Sequence, residues 1–171
     1  PKFVEFSGHA PIIPMHEAAT NGQVSGSIKG ETRTNLVYGG NNDLDAWEGS
    51  QRAVENGYYK AVSGISSLSG FGQNILNVGG GKRYILSLVG KSTGTTGRNS
   101  FVVRLYNSDN SQGALYTINF TNTPNDTRKS IKIPTLETTS RMVIFPCTTG
   151  SDGILYFKDV LLEEGEEVKS Y

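Results

Sequence analysis

The chain has 171 residues, and its 16 Lys plus Arg balance its 16 Asp plus Glu. That length holds one well-packed domain, or a domain with an arm. The charge balance and the lack of a basic stripe with interleaved aromatics argue against a nucleic-acid partner. Apolar runs such as "YILSLV" are too short to cross a membrane.

Residues 1–34 come first and read as an irregular N-terminal arm, or the end of a preceding module. "KFVEF" has a strand-like alternation. The following "GHAPIIPMHEAATNGQVSGSIKGET" holds two prolines, four glycines and little periodicity. A start at Pro1, with no charged-then-apolar leader, is the pattern expected of an excised or processed fragment.

Residues 35–171 read as one β-sandwich domain. It opens with "NLVYGGNNDLDAW", where Asn41, Asn42, Asp43 and Asp45 crowd ahead of the lone tryptophan, Trp47. Period-two runs then follow in order: "GYYKAVSG", "QNILNVGG", "RYILSLVGK", "SFVVRLYN", "ALYTINFT", "KSIKIPT", "RMVIFPC" and "GILYFKDVLL". "GKSTGTTGRN", "NSDNSQG", "TNTPND" and "TTGSDG" mark turns between them. The alternation assigns Tyr84, Leu86 and Leu88 to a core, with Arg83, Ile85 and Ser87 on the second face. Likewise Phe101, Val103 and Leu105 point inward, leaving Val102, Arg104 and Tyr106 outward, and Ile118 and Phe120 oppose Thr117 and Asn119. No window carries a capped amphipathic helix. About eight short strands at regular spacing predict an all-β fold, an antiparallel two-sheet sandwich or barrel.

Catalytic and metal chemistry find little support. His9 and His16 lie in the arm without a third ligand, whereas zinc needs three or four converging ones. The single cysteine, Cys147, excludes an internal disulfide and sits in a strand-like run as a buried thiol. "VSGIS" does not complete a G-x-S-x-G elbow. "NVGGGKRY" lacks the Ser or Thr and the helix of a phosphate loop, and reads as a glycine-rich hairpin connection. Glu137, Asp126, Asp109 and Asp152 all occupy turn contexts, with no apolar surroundings to raise a pKa for glycoside hydrolysis. The chain is expected not to be an enzyme. Asn41, Asp43 and Asp45 alternate like the first ligands of a calcium-binding EF-hand. Ala46 and Arg52 stand where its glycine and glutamate belong, so only a looser calcium site remains open.

Two stretches carry a resemblance. "GETRTNLVYGGNNDLDAW" resembles the "G-R-T-x-T-N-L-L…G-W" opening of minor structural and tail proteins of phages that infect Gram-positive bacteria. "LYFKDVLLEEGEEVKSY" resembles the "D-V-Q-L-E-E-G" close of the same domains, which are similar to jelly-roll carbohydrate-binding modules of bacterial glycanases. The resemblance implies a two-sheet jelly roll with its opening and closing stretches side by side. It further implies a structural calcium at Asp159, with Asp43 or Asp45 substituting for an acidic residue replaced here by Asn41–Asn42. It implies a non-catalytic phage tail, baseplate or fibre domain that adheres to a bacterial surface glycan, in a virion acting outside the cell. Other tail proteins, and a homo-trimer, are the expected protein partners. The residue types suited to a sugar are Arg104, Tyr106 and Asn119 on neighbouring strands, with Trp47 and Tyr59 as further candidates and core packing as the alternative for Trp47. A structural spacer without a ligand, and a carbohydrate-binding module of a secreted glycanase, are the alternatives.

Overall fold

The computed structural model describes residues 34–37, 43–67, 69–76, 78–93, 97–150 and 153–165, and before residue 34 the backbone of three strands. The chain divides into two compact units, residues 1–33 with 169–171, and residues 34–168. The first holds an antiparallel sheet of β1 (Lys2–Val4), β2 (Ile13–Glu17) and β3 (Val24–Ser25). Only the first of these was legible as a strand. The side chains there, His9 and His16 included, lie outside the described residues, as do Asn41 and Asn42.

The second unit is a sandwich of two antiparallel sheets. Its strands are β4 (Ala53–Glu55), β5 (Tyr58–Ala61), β6 (Gln73–Leu76), β7 (Arg83–Ser92), β8 (Asn99–Asn107), β9 (Gln112–Asn119), β10 (Thr127–Pro134), β11 (Thr139–Thr148) and β12 (Leu155–Glu164). One sheet runs β10-β7-β12-β5-β4 and the other β6-β11-β8-β9. From β6 onward the chain passes repeatedly between the sheets, with only β8 and β9 joined as a hairpin in the same one. This is the predicted two-sheet jelly roll. The segment 78–82 therefore lies between strands of different sheets rather than closing a hairpin. Its glycines serve close approach: Gly81 has φ +68, and a Cβ at Gly80 would strike the Glu137 backbone.

The β4–β5 hairpin turns on Asn56 and Gly57, whose φ of 51 and 80 suit the strand twist. Ahead of it, Leu44–Ala46 forms one 3-10 turn, capped by the Asp43 carboxylate accepting from the Asp45 amide at 3.2 Å.

The alternation holds where both faces were distinct. Phe101, Val103, Leu105, Tyr84, Leu86, Leu88, Ile118 and Phe120 are buried in the core, and Cys147 is buried. The outward face of β7 is a correction: Ile85 and Ser87 are also buried. β7 lies between β10 and β12, and its neighbours' side chains cover it, the Arg128 guanidinium donating to Ser87 Oγ at 3.2 Å.

The core centres on aromatic rings. Trp47 is 1% exposed, with ring centroids of Tyr59 at 5.3 Å, Phe71 at 5.5 Å, Phe157 at 5.6 Å and Phe101 at 6.3 Å. Most of these meet edge to face, the favourable arrangement for ring quadrupoles.

The opening segment lies against the closing strand. Asn35 Nδ2 donates to Val160 O at 3.2 Å, and Asn35 Oδ1 accepts from Leu162 N at 2.9 Å and Val37 N at 3.1 Å. The Leu36 amide adds a bond to Leu162 O at 2.8 Å. Just before this lashing β12 bulges, with Asp159 at φ 50 and a register shift between Lys158 and Leu161.

Candidate functional site

A sandwich offers two outer faces, and here they differ in chemistry. On the five-stranded sheet, Tyr58, Lys60, Lys91, Tyr156 and Lys158 face outward from β5, β7 and β12, joined by Glu55 from β4 and Asp126 from the turn before β10. Their charges and rings satisfy one another. The Tyr58 hydroxyl donates to Asp126 and accepts from Lys158 Nζ at 3.0 Å. Lys91 lies 3.2 Å from Asp126 and Lys158 3.5 Å from it, while Lys60 pairs with Glu55. These outward groups thus end in internal partners. Lys91 and Lys158 also sit 4.0 and 4.3 Å from the Tyr58 ring centroid, so ammonium groups already occupy that ring. The Tyr58 hydroxyl bond, above all, holds the Asp126 carboxyl below its ordinary 3.8, and Lys60 likewise lowers Glu55 from 4.5.

The four-stranded sheet presents a different grid, read from its register. One row crosses Leu76, Arg141, Tyr106 and Gln112; the next crosses Asn74, Val143, Arg104 and Leu115. A third holds Phe145, Val102 and Thr117, and a fourth Cys147, Ser100 and Asn119. The rows are not equally open. Ser100, Val102 and Val143 are buried, whereas Leu76 is 55% and Leu115 43% exposed, and Thr117 and Asn119 are exposed. Arg104, Tyr106, Arg141, Phe145 and Asn74 are half-buried.

The predicted residues fall out as follows. Arg104 and Tyr106 share the outer side of β8, and Asn119 shares the same face on neighbouring β9. Asn119 is opposite Ser100, however, six residues along from Tyr106. At about 3.3 Å per residue that is roughly 20 Å, so the three residues lie along a stripe and not in one compact patch. Trp47 and Tyr59 are corrections: at 1% and 2% exposure both belong to the core. Their rings pack on each other and leave no face for a ligand. The outward tyrosine of "GYYK" is Tyr58.

Two residues of the grid were missed. Arg141 pairs with Tyr106 across β11 and β8, its guanidinium 3.8 Å from the ring centroid. Asn74 places a buried Oδ1 with no hydrogen-bond partner among the described residues. The sequence signal for Arg141 was its alternation against Met142 and Ile144. Asn74 had none, because its strand reads almost as well in either register.

Two of the three carboxylates proposed for calcium have other partners, and the third, Asp45, is exposed. Asp43 caps the 3-10 turn, and Asp159 lies 3.9 Å from Arg128. Among the described residues no three Asp, Glu, His or Cys side chains gather as a metal site. Arg128 beside Asp159 is a poor neighbour for a divalent cation.

No family model matches the sequence, and no curated protein matches it. Solved structures do superpose on it. The structure described as "Family 16 Carbohydrate Binding Module-2" matches with a TM-score of 0.59 at 21% identity, over 75% of this chain and 99% of that one. The fold is that of carbohydrate-binding modules. A second structure, "CBM4 structure and function", matches with a TM-score of 0.50 at 17% identity, over 72% of this chain and 81% of that one. A tailspike protein of bacteriophage CBA120 matches more loosely, with a TM-score of 0.48 at 15% identity, over 78% of this chain and 18% of that one.

Proposed function

We propose that the four-stranded sheet binds a saccharide on its outer face, without catalysis. The observation that carries this is the contrast between the two faces. On the five-stranded sheet Tyr58, Lys60, Lys91 and Lys158 are held by Glu55 and Asp126, whereas the Tyr106–Arg141 pair and Arg104 stand on the other face with no carboxylate partner among the described residues. Such a set offers a flat ring and apolar side chains for the C–H surface of a sugar, and forks for its hydroxyls. The likeness to carbohydrate-binding modules supports the same assignment through the fold.

The setting rests on other residues. The opening "GETRTNLVYGG" and closing "LYFKDVLLEEG" support a phage tail, baseplate or fibre protein, acting outside the cell on a bacterial surface glycan, alongside other tail proteins. A module of a secreted glycanase is the second setting, favoured by the near-complete span of the family 16 module. Both settings use the same face.

The test is Tyr106→Ala. Titration calorimetry against host-surface polysaccharide and soluble plant glycans should show binding by the parent chain and a loss of about tenfold to a hundredfold in the variant, the range for one large ring. The melting temperature should change little, because the ring lies outside the core. A parent chain that binds none of these glycans leaves the spacer role; a variant that binds normally moves the site off this face.

A further inference from the structure

The four strands of the saccharide face, "QNIL", "NSFVVRLYN", "QGALYTIN" and "TSRMVIFPCT", contain two charged residues between them, Arg104 and Arg141. Both are arginine and both point to the outer face. They are also diagonal neighbours, since Arg104 stands opposite Val143 and Arg141 lies two residues before it. That places the two residues about 7–8 Å apart, their Cβ atoms somewhat closer.

Among the described residues neither guanidinium has an anionic partner. Arg104 makes no side-chain hydrogen bond or ion pair among the described residues, although it is half-buried between Val143 and Leu115. Arg141 touches the ring of Tyr106, which orients it without neutralising it. The carboxylates at the nearby turns do not supply the missing charge. Asp109 is turned onto Ser111, with bonds of 2.9 Å to its amide and 2.6 Å to its hydroxyl. Glu137 packs against Gly81, on the connection between the sheets. On the outer face of the five-stranded sheet, Lys60, Lys91 and Lys158 have carboxylates beside them. Here two like charges, close together and partly desolvated, have none, an arrangement that an anion from outside would relieve.

Resting on the saccharide-binding assignment, we infer that the ligand is an anionic glycan, whose carboxylate or phosphodiester is held by Arg104 and Arg141. Arg104 supplies the fork. Arg141, stacked on Tyr106, supplies the second charge at a fixed angle, and the sugar ring that carries the anion lies over Leu115 and the exposed edge of Tyr106. Two charges in all make a site for one anionic group at a time. They do not make the basic stripe that a nucleic acid needs.

Titration calorimetry with the full chain tests this on three probes of matched length: a polygalacturonate oligomer, a glycerol-phosphate or ribitol-phosphate polymer, and neutral xylo- and cello-oligosaccharides. One anionic probe should bind at least about tenfold tighter than the neutral ones and weaken as salt rises, as a charge-dependent contact requires. Which of the two binds distinguishes carboxylate from phosphodiester, and for the uronate a carboxyl-reduced oligomer should lose the preference. Arg104→Gln should weaken binding about tenfold to a hundredfold, the loss of a charge-assisted pair of hydrogen bonds. Arg104→Lys should keep the charge and recover only part. Neutral probes that bind as tightly as anionic ones, or a salt-independent affinity, overturn the anionic ligand and leave the saccharide site standing. Undiminished anionic binding by Arg104→Gln and Arg141→Gln, with parent-like melting temperatures, also overturns it. No binding to any probe overturns both.

Discussion

Asn35→Ala isolates the bond set that lashes the opening segment to β12. The Asn35 amide donates to Val160 O and accepts from Leu162 N and Val37 N. A buried neutral hydrogen bond contributes about 1 kcal/mol net, so three would contribute about 3 kcal/mol. Asn35 itself is exposed, and water replaces part of what is lost, which lowers the expected cost to about 2–3 kcal/mol. Residues 34–168 form the compact unit, and at about 2.1 cal/mol/K per residue its unfolding entropy is about 0.28 kcal/mol/K. The expected fall in melting temperature is therefore about 7–11 °C. Circular dichroism melts and urea titrations of the two proteins should agree on the free-energy difference, with an unchanged urea slope. A melting temperature within about 2 °C of the parent would refute the reasoning. It would mean that the opening segment is held by the Leu36 amide's bond to Leu162 O and by Leu36 and Val37 burial.

Gly90→Ala sets a Cβ 2.7 Å from the Phe120 ring, and should destabilise by about 1–3 kcal/mol through overpacking, measured by urea unfolding; a neutral effect would show that Phe120 has room to move. Asp126→Asn should be less stable than the parent at neutral pH. Because the folded carboxyl titrates below its ordinary 3.8, its contribution is present above that value and is lost as pH falls through the lower, folded one. The difference between variant and parent should shrink below about pH 4, and one that is independent of pH would exclude a charge effect. Calcium and chelator should give the same melting temperature, since Asp43 caps a turn and Asp159 faces Arg128; a rise with calcium concentration would identify a site at Asp159 completed by further oxygens.

The core of β8 was legible because Phe101, Val103 and Leu105 alternate with a charged and a hydroxylated residue, and a period of two has then only one solution. "GYYK" had no such asymmetry. Two adjacent tyrosines fit either register, and the pairing of Tyr59 with the buried Phe157 of β12 decides which is buried. Trp47 ended the opening motif in a loop without period, so nothing local distinguished an anchor of the aromatic core from an exposed platform. Ile85 and Val102 mark the other limit. Burial of a sheet's outer face depends on the side chains of strands distant in sequence, and Arg128 over Ser87 could not be anticipated from β7 itself. The same holds for Arg141 and Tyr106, which become neighbours only through the pairing of β11 with β8.

The strand order of the larger sheet bears on how the domain is made. β12 is the strand between β7 and β5, so before it is synthesised that sheet exists only as two separate pieces, the β4–β5 hairpin and the β7–β10 pair. The Asn35 lashing waits longest, since its partner Leu162 is 127 residues further on. A nascent chain emerging from the ribosome holds one face of the aromatic core open until its last strand arrives, and long-range pairing of this kind is slow. Closure is thus a late, C-terminal event. A chain cut short before Leu155 would carry all but one strand of the sandwich, yet keep Tyr59 and Phe101 without the Phe157 ring that joins them.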